Sequence, residues 1–456
     1  MFRSVTVNEV ASTCSHRKLL PSCVRRATSS AASMRRWTRL VVCLVVLCAA
    51  LRLSLGPRST EHSHEDSSTA CALRDRLQLS ATNRSAAHLG SSHEVRLYWW
   101  FRFQGARRGV RRDRRDDITC AEHGLRCILD SSDEAFASSD AVVVWVGARP
   151  ERHCLPPRLA GQPWVVEYYE SPAYYTELWD ASFMSQFSLK VSYEYDSDVV
   201  LTGGIHPLVE GAAIPPPLWL RQPISAARSA IVWVASNCDS RNRREELVRR
   251  LQAALPSSLP LHSVGRCLHN HDAPELTHTT AAISGTHDAP WVRSKLSLIG
   301  GYAFCLVLEN SIAADYVTEK LFHAFAAGCM PIYYGTADVS KVLPHARAVV
   351  QVLDYPDVSA LVAQLVRLAE RPAELRARLA WREDARVVEQ WWQALRNRTA
   401  AERTASKPQH FCSICKAVHS LRLRRERPSD VRRLPPSPRP PQSVWPPLMD
   451  VSGDGA

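Results

Sequence analysis

The sequence of 456 residues lacks the short motifs that mark the large nucleotide-binding and hydrolase families. It contains no G-x-x-x-x-G-K-[ST] and no G-x-G-x-x-G segment, which excludes the P-loop and dinucleotide-binding fingerprints. It also contains no G-x-S-x-G and no H-E-x-x-H segment, so the nucleophile elbow and the zinc-protease helix are excluded. Only one long apolar run is present, which argues against a protein with several membrane spans.

The positive charge of the chain is concentrated at its two ends. The net charge is +12, with 45% hydrophobic and 22% charged residues, an ordinary globular composition. Residues 1–58 carry 10 basic and 1 acidic residues, and residues 401–456 carry 10 and 5. The remaining 59–400 are therefore close to neutral. A nucleic-acid-binding domain would carry its own basic face, so we expect no nucleic-acid partner.

The single apolar run, LVVCLVVLCAAL, predicts a transmembrane signal-anchor at residues 37–55. Arg35, Arg36 and Arg39 flank its N-terminal side, which predicts a cytosolic tail at 1–36 and a luminal remainder of the chain. The run is short for a spanning helix, and a cleaved signal peptide is the alternative. We expect the lipid bilayer to be a partner through this one helix, and residues 56–92, rich in Ser, His and charge, to form a stem.

Cysteines and sequons agree with a luminal location. Of the 14 cysteines, 10 lie beyond residue 58, a density that favours disulfides in an oxidising compartment. Cys412 and Cys415 form a C-x-x-C pair, and no second C-x-x-C exists to complete a zinc site. They are therefore predicted to form a local disulfide with each other. Asn83 and Asn397 begin acceptor sequons for N-glycans.

Strand-like and helix-like segments alternate in both halves of the chain. Continuous β-branched runs at 141–146 and 163–168 predict buried strands of a parallel sheet. Further strands are predicted at 231–235, 261–264, 304–308 and 330–334, with helices at 245–255 and 317–327. This alternation predicts an α/β protein with domains at 93–214 and 228–400. Residues 401–456 are predicted to hold the C-x-x-C segment and a disordered tail rich in Pro and Arg.

The stretch 304–335 places polar side chains where open α/β sheets bind ligands. Asn310 follows a predicted strand, and Tyr316, Glu319 and Lys320 lie at the start of a predicted helix. A helix N-terminus suits a phosphate, and Lys320 would add a full positive charge there. Glu319 would accept hydrogen bonds from sugar or ribose hydroxyls. The alternative is an ordinary solvated first turn, in which a glutamate is favourable anyway.

This stretch resembles the α-1,3-fucosyltransferases. The family's F-E-N-S and D-Y-[VI]-T-E-K elements stand here as LENS at 308–311 and DYVTEK at 315–320. The block WVASNC at 233–238 resembles a family block whose arginine binds the donor pyrophosphate, and Arg244 aligns best with that arginine. Arg241 and Arg243 leave the register open. Upstream, Glu170-Ser171-Pro172 resembles the family's E-S-P.

The resemblance implies a GT-B fold, in which two Rossmann-like domains face a central cleft. It implies a type II Golgi membrane enzyme with a luminal catalytic domain, which transfers L-fucose from GDP-β-L-fucose to a GlcNAc-containing glycan with inversion. The C-terminal domain would bind the donor, without a required cofactor and with a divalent cation at most stimulatory. Glu170 would be the catalytic base, and Glu319 would contact ribose or fucose hydroxyls. The candidates for the diphosphate are Arg244, Asn310, Tyr316 and Lys320.

Other readings of the sequence stay open. Asp196 and Asp198 form a D-x-D triplet, which in a metal-dependent transferase of another sugar would hold a divalent cation. We expect a structural role for them and no metal site. A non-catalytic luminal glycan-binding protein is a further alternative. The acceptor is open among Lewis-type N-acetyllactosamine, the GlcNAc of the N-glycan core and a peptide-linked fucose.

Overall fold

The computed structural model of this chain describes residues 74–75, 77–78, 93–100, 115–148, 155–201, 229–273, 290–398, 408–423 and 433–438. The predicted tail at 1–36, the predicted anchor at 37–55 and most of the predicted stem lie outside these residues, as does the sequon at Asn83. The backbone of Asn397 belongs to a helix that ends at Arg398. None of the helices in the described ranges is long and apolar enough to cross a bilayer.

A seven-stranded mixed sheet forms the first half of the fold. Its strands are β1 (Glu94–Trp100), β2 (Arg115–Cys120), β3 (Leu125–Asp130), β4 (Ala141–Trp145), β5 (Trp164–Glu167), β6 (Leu189–Ser192) and β7 (Val199–Val200). The spatial order is β2-β3-β1-β4-β5-β6-β7. All neighbours are parallel except β2, which pairs antiparallel with β3 at the edge. The short helices α1 (Ala135–Ser138) and α2 (Ala181–Met184) belong to the same half.

A five-stranded parallel sheet forms the second half. Its strands are β8 (Ile231–Trp233), β9 (Leu261–Ser263), β10 (Phe304–Leu308), β11 (Met330–Tyr334) and β12 (Val350–Gln351), in the order β12-β11-β10-β8-β9. The helices of this half are α3 (Arg244–Ala254), α4 (Pro290–Ile299), α5 (Glu319–Ala327), α6 (Val358–Ala369), α7 (Pro372–Leu379) and α8 (Ala385–Arg398). Every residue of β10 and β11 is buried, as expected for strands covered on both faces.

Local sequence sets the ends of α5, the helix closest to the predicted site. Thr318 is its N-cap, and the Thr318 side chain accepts a hydrogen bond from the backbone N–H of Lys320. Gly328 ends the helix with φ of 82°, a left-handed conformation that glycine adopts without a steric penalty. The buried face of α5, which includes Leu321, Phe322 and Phe325, packs into one apolar cluster with Trp391. The packing of α5 therefore holds the residues at its N-terminus in place.

The prediction of a local Cys412–Cys415 disulfide is wrong. Both cysteines lie on a C-terminal helix, α9 (Pro408–Leu423), which packs on the first sheet. Cys412 pairs with Cys120 at the end of β2, and Cys415 pairs with Cys127 in β3. The spacing of three residues places both side chains on the same helix face, where they point together into the neighbouring sheet.

The predicted disordered tail is also partly wrong, because residues 433–438 pack on the first half of the fold. The N–H of Leu434 donates to the carbonyl of Phe187, and the N–H of Ser437 donates to the carbonyl of Leu178. Leu434 is buried in the same apolar cluster as Trp164 and Tyr168. The last described residues thus pack on the first half of the fold, although the strands of the second sheet lie between them and the first sheet in sequence.

The α/β prediction is confirmed, with one sheet in each predicted range. The strands β10 and β11 have the predicted bounds, and the helix predicted at 317–327 begins two residues later, at Glu319. The antiparallel edge strand β2 and the helix α9 were not predicted.

Candidate active site

A cavity of about 300 Å³ lies at the second sheet, beside the last residues of β8 and β10. Most of its lining is apolar or small. Four charged side chains also line it, namely Arg244, Lys295, Glu319 and Lys320. Three cations and one carboxylate give the cavity a net positive lining, which suits an anionic ligand.

The two loops that border this cavity are fastened to each other. The guanidinium of Arg244 donates from Nη1 to the carbonyl of Leu308 over 2.7 Å. The side chain of Asn242 donates to the carbonyl of Glu309 over 2.9 Å. Arg244 is only 5% exposed, whereas Arg241 and Arg243 are exposed. The geometry therefore favours Arg244 among the three arginines that the sequence left open.

Lys320 carries its charge at the N-terminus of α5. Its Nζ lies 3.1 Å from Oε2 of Glu309, which is fully buried, and 2.8 Å from Oγ1 of Thr318. Burial opposes the charge of Lys320, but the carboxylates of Glu309 and Glu319 outweigh burial and raise the pKa of Lys320. With 27% of its side chain exposed, this ammonium is held charged and accessible.

Glu319 is the carboxylate of the cavity, and it stays ionised. Burial would raise its pKa, but the charges of Lys320 and Lys295 outweigh burial and lower the pKa to about 2. An ionised carboxylate has only acceptor atoms. Glu319 is therefore suited to hydroxyl groups and unsuited to direct contact with a phosphate.

Glu170 lies where the two halves of the fold meet. Its Oε2 accepts a hydrogen bond from the hydroxyl of Tyr316 over 2.6 Å and one from Nδ2 of Asn310 over 3.1 Å. Burial and the nearby charge of Glu170 raise the pKa of Tyr316 well above its usual value, so this hydroxyl stays protonated and donates. Asn310 and Tyr316, which the sequence assigned to the diphosphate, thus contact the predicted base.

Sequence reasoning missed two residues of the cavity region, Lys295 and Glu309. Lys295 lies on α4, outside every motif block, and its Nζ lies 3.1 Å from Nδ1 of His323. The available signal in the sequence was a single lysine directly before the largely apolar stretch from Leu296 to Ile299. Glu309 was seen in its motif but given no role, and it is the buried partner of Lys320.

The residues considered for a metal site are engaged elsewhere. Asp196 pairs with the ammonium of Lys190, and Asp198 accepts from the backbone N–H of the same residue over 2.8 Å. Cys267, which is close in sequence to His269 and His271, forms a disulfide with Cys238. Within the described ranges, no group of three or more His, Cys, Asp or Glu side chains could hold a metal ion.

Curated relatives are 24% to 30% identical to this chain over the matched residues. Alpha-(1,3)-fucosyltransferase 4 of Bos taurus is 30% identical over 243 residues, which cover 52% of this chain and 55% of the relative. GDP-fucose protein O-fucosyltransferase 3 of Homo sapiens is 24% identical over 270 residues, which cover 58% and 54%. The matched region thus spans just over half the length of these relatives.

A crystal structure of an alpha1,3-fucosyltransferase with GDP superposes with a TM-score of 0.40 at 14% identity, over 68% of this chain and 87% of that one.

Two family models match this chain, one over each half of the fold. "Fucosyltransferase, N-terminal" matches residues 91–204, and "Glycosyltransferase family 10 (fucosyltransferase) C-term" matches residues 224–433. Because these matches cover both sheets in the order of the family, the chain belongs to glycosyltransferase family 10, the fucosyltransferases.

Proposed function

We propose that this protein transfers L-fucose from GDP-β-L-fucose to a hydroxyl of a glycan acceptor, with inversion at the anomeric carbon. The observation that carries this proposal is the contact of Glu170 with Tyr316 and Asn310. Those two residues belong to the same segment as Glu319 and Lys320 of the cation-lined cavity. A carboxylate thus contacts the segment that leads into a site that can hold a diphosphate.

In the proposed reaction, Glu170 accepts the proton of the acceptor hydroxyl as its oxygen attacks the anomeric carbon of fucose. The bond between that carbon and the β-phosphate oxygen breaks, and GDP leaves with the bonding electrons. The leaving diphosphate gains negative charge, which the fixed cations of Arg244 and Lys320 stabilise. One displacement converts the β-linked donor into an α-linked product.

Tyr316 and Asn310 hold the carboxylate of Glu170 in place for this step. Both donate to Oε2, and Oε1 accepts from neither of them. We propose that Oε1 receives the proton. Glu319 accepts from hydroxyls of ribose or fucose.

The proposed acceptor is a GlcNAc-containing glycan with a free 3-hydroxyl, in keeping with the names of the α-1,3-fucosyltransferase relatives. A second candidate is a peptide hydroxyl, because two relatives are named GDP-fucose protein O-fucosyltransferase 3. The same base and the same donor cavity would serve both acceptors.

The proposed setting is the Golgi lumen, with a type II anchor at 37–55 and a GT-B arrangement of domains at 93–214 and 228–400. The disulfide Cys238–Cys267 and the two that fasten α9 support an oxidising compartment. The proposed reaction requires no cofactor, because Arg244 and Lys320 supply positive charge that a metal would otherwise provide.

A transfer assay tests this function. The protein from residue 56 to 456, secreted from cells, is incubated with labelled GDP-fucose and with three acceptor sets: N-acetyllactosamine glycans, N-glycan cores and folded peptide domains. Product linkage is then read by mass spectrometry and NMR. We expect α-1,3-linked fucose on a GlcNAc-containing set. Fucose on peptide hydroxyls alone would favour the second candidate, and no transfer to any set with intact GDP binding would favour a glycan-binding protein.

A further inference from the structure

Lys295 is a cation of the cavity that lies outside all the sequence motifs of the site. It is on α4, and α4 packs on α5, the helix that carries Glu319 and Lys320. Its ammonium lies 3.1 Å from Nδ1 of His323, which is 1% exposed. Lys295 thereby reaches the cavity from a different element than Arg244 and Lys320 do.

Among the residues that the structure describes, His323 is the one hydrogen-bond partner of the Lys295 ammonium. An ammonium has three N–H donors, and the ring nitrogen of His323 accepts one of them. Lys295 is half-buried, and no carboxylate in the described part of the chain forms an ion pair with it, so this arrangement suits a ligand that brings the opposite charge. A purely structural link between α4 and α5 would not need a charged group that lines a cavity.

We propose that Lys295 binds the diphosphate of the nucleotide donor as a third cation of the site, and that His323 positions its ammonium. This inference rests on the proposed use of the cavity for a nucleoside-diphosphate sugar. It adds a residue from α4 to the two cations that the motifs supply. The three cations then surround the diphosphate from α3, α4 and α5.

The charges around Lys295 make the inference testable by pH. Two like charges, Lys320 and Arg244, and two opposite ones, Glu319 and Glu309, share its surroundings with His323. Burial lowers the pKa of Lys295 to about 8, with Glu319 offsetting part of the effect. A bound diphosphate favours the protonated form. Above pH 8, binding must therefore take up a proton, and affinity falls as the pH rises.

The experiment is isothermal titration of the protein with GDP between pH 7 and about pH 8.8, a range above the phosphate titration near pH ~6 and below the ionisation of the guanine N1–H. For the wild type we expect nearly constant affinity near pH 7 and a fall of several-fold above pH 8, toward the affinity of Lys295→Met. Lys295→Met should bind GDP roughly 10-fold more weakly at pH 7 and show a flat profile across pH 8. Lys295→Arg should regain affinity at pH 7 and stay flat, because arginine remains charged throughout.

Lys416→Met serves as the control, since Lys416 is exposed on α9. It should match the wild type at every pH.

Wild-type affinity and an unchanged pH profile in Lys295→Met would overturn the inference, as would a pH-dependent profile in Lys295→Arg. If Lys295→Met does not fold, the pH profile of Lys295→Arg tests the inference alone: a flat profile supports it, and a pH-dependent profile contradicts it. A wild type that binds no GDP would overturn the donor site as a whole, whereas GDP binding without fucose transfer would overturn only the proposed reaction.

Discussion

The hydroxyl of Tyr316 lies 2.6 Å from Oε2 of Glu170, although the two residues are 146 positions apart and follow strands of different sheets. The ring of Tyr316 also packs edge-on against Tyr193 of the first half, with ring centroids 5.0 Å apart. The backbone N–H of Tyr195 donates to Asp315, the residue before Tyr316. The segment that leads into α5 is thus fixed to both halves, and it connects the donor cavity to the base.

Replacing Glu170 with glutamine tests its role as the base. Glutamine keeps the shape and can still accept from Tyr316, but it does not take a proton at neutral pH. We expect the transfer rate to fall roughly 10²- to 10⁴-fold, the usual contribution of general base catalysis. GDP affinity by calorimetry should stay unchanged, because the cavity belongs to the other sheet. Full activity in a folded Glu170→Gln protein would contradict this role and would make Glu167 or Glu177 the next candidate for the base.

Replacing Tyr316 with phenylalanine separates two roles for this residue. If Tyr316 positions Glu170, kcat should fall about 10-fold or more while GDP affinity is retained, since a hydrogen bond to a charged group contributes ~1.5–3 kcal/mol. If Tyr316 instead binds the diphosphate, GDP affinity should fall. Tyr193→Phe is the matched control, because the hydroxyl of Tyr193 has no hydrogen-bond partner within the described ranges.

Removing the charge of Lys320 should weaken GDP binding. We expect Lys320→Ala to lose roughly 10- to 100-fold in GDP affinity, for the loss of one charge-assisted contact. It should also lower the melting temperature, because Glu309 is left as a buried carboxylate without its cation. The pair Glu309→Gln with Lys320→Met should restore stability without restoring GDP binding. Unchanged GDP affinity in Lys320→Ala would contradict a donor role for Lys320.

Treatment with a chelator should leave fucose transfer largely intact. Asp196 and Asp198 both accept from Lys190, and three of the four charged side chains that line the cavity are cations. We expect more than about half of the activity to persist in excess EDTA, measured against added Mg²⁺ or Mn²⁺. Complete loss with EDTA, restored by one of these ions, would favour a metal-dependent transferase.

Peptide mapping of the unreduced protein should recover Cys120 linked to Cys412 and Cys127 linked to Cys415. Replacing Cys412 and Cys415 together with serine should destabilise the first sheet, since loss of one native disulfide typically costs about 2–5 kcal/mol. Thermal melting measures this loss. A recovered Cys412–Cys415 peptide would contradict the packing of α9 on the first sheet.

The sequence identified the parts of the fold that depend on local pattern. Uninterrupted apolar runs defined β10 and β11, and Gly328 marked the end of α5, because burial on both faces and a left-handed cap each have a short sequence signature. The strand β2, with the pattern RDDITC, has exposed polar positions and gains its pairing only from β3. Its disulfide to α9 depends on a contact 292 residues away, which no local pattern carries.

In the candidate site, too, the sequence identified the residues marked by short motifs but not the contacts that depend on tertiary packing. Short motifs identified Glu170, Arg244 and the segment from Asn310 to Lys320. The direction in which Asn310 and Tyr316 point depends on how the two halves meet, so their contact with Glu170 was not foreseen. Lys295 was missed because its only relation to the site is the packing of α4 on α5.

The return of α9 to the first sheet sets an order of events during synthesis. Cys120 and Cys127 leave the ribosome 288 to 292 residues before their partners. At about 5–20 residues per second, that interval lasts roughly 15–60 s. During this time the two cysteines lack their native partners and one face of the sheet lacks its covering helix. A product that stops near residue 400 therefore retains an uncovered sheet face and two cysteines without their native partners.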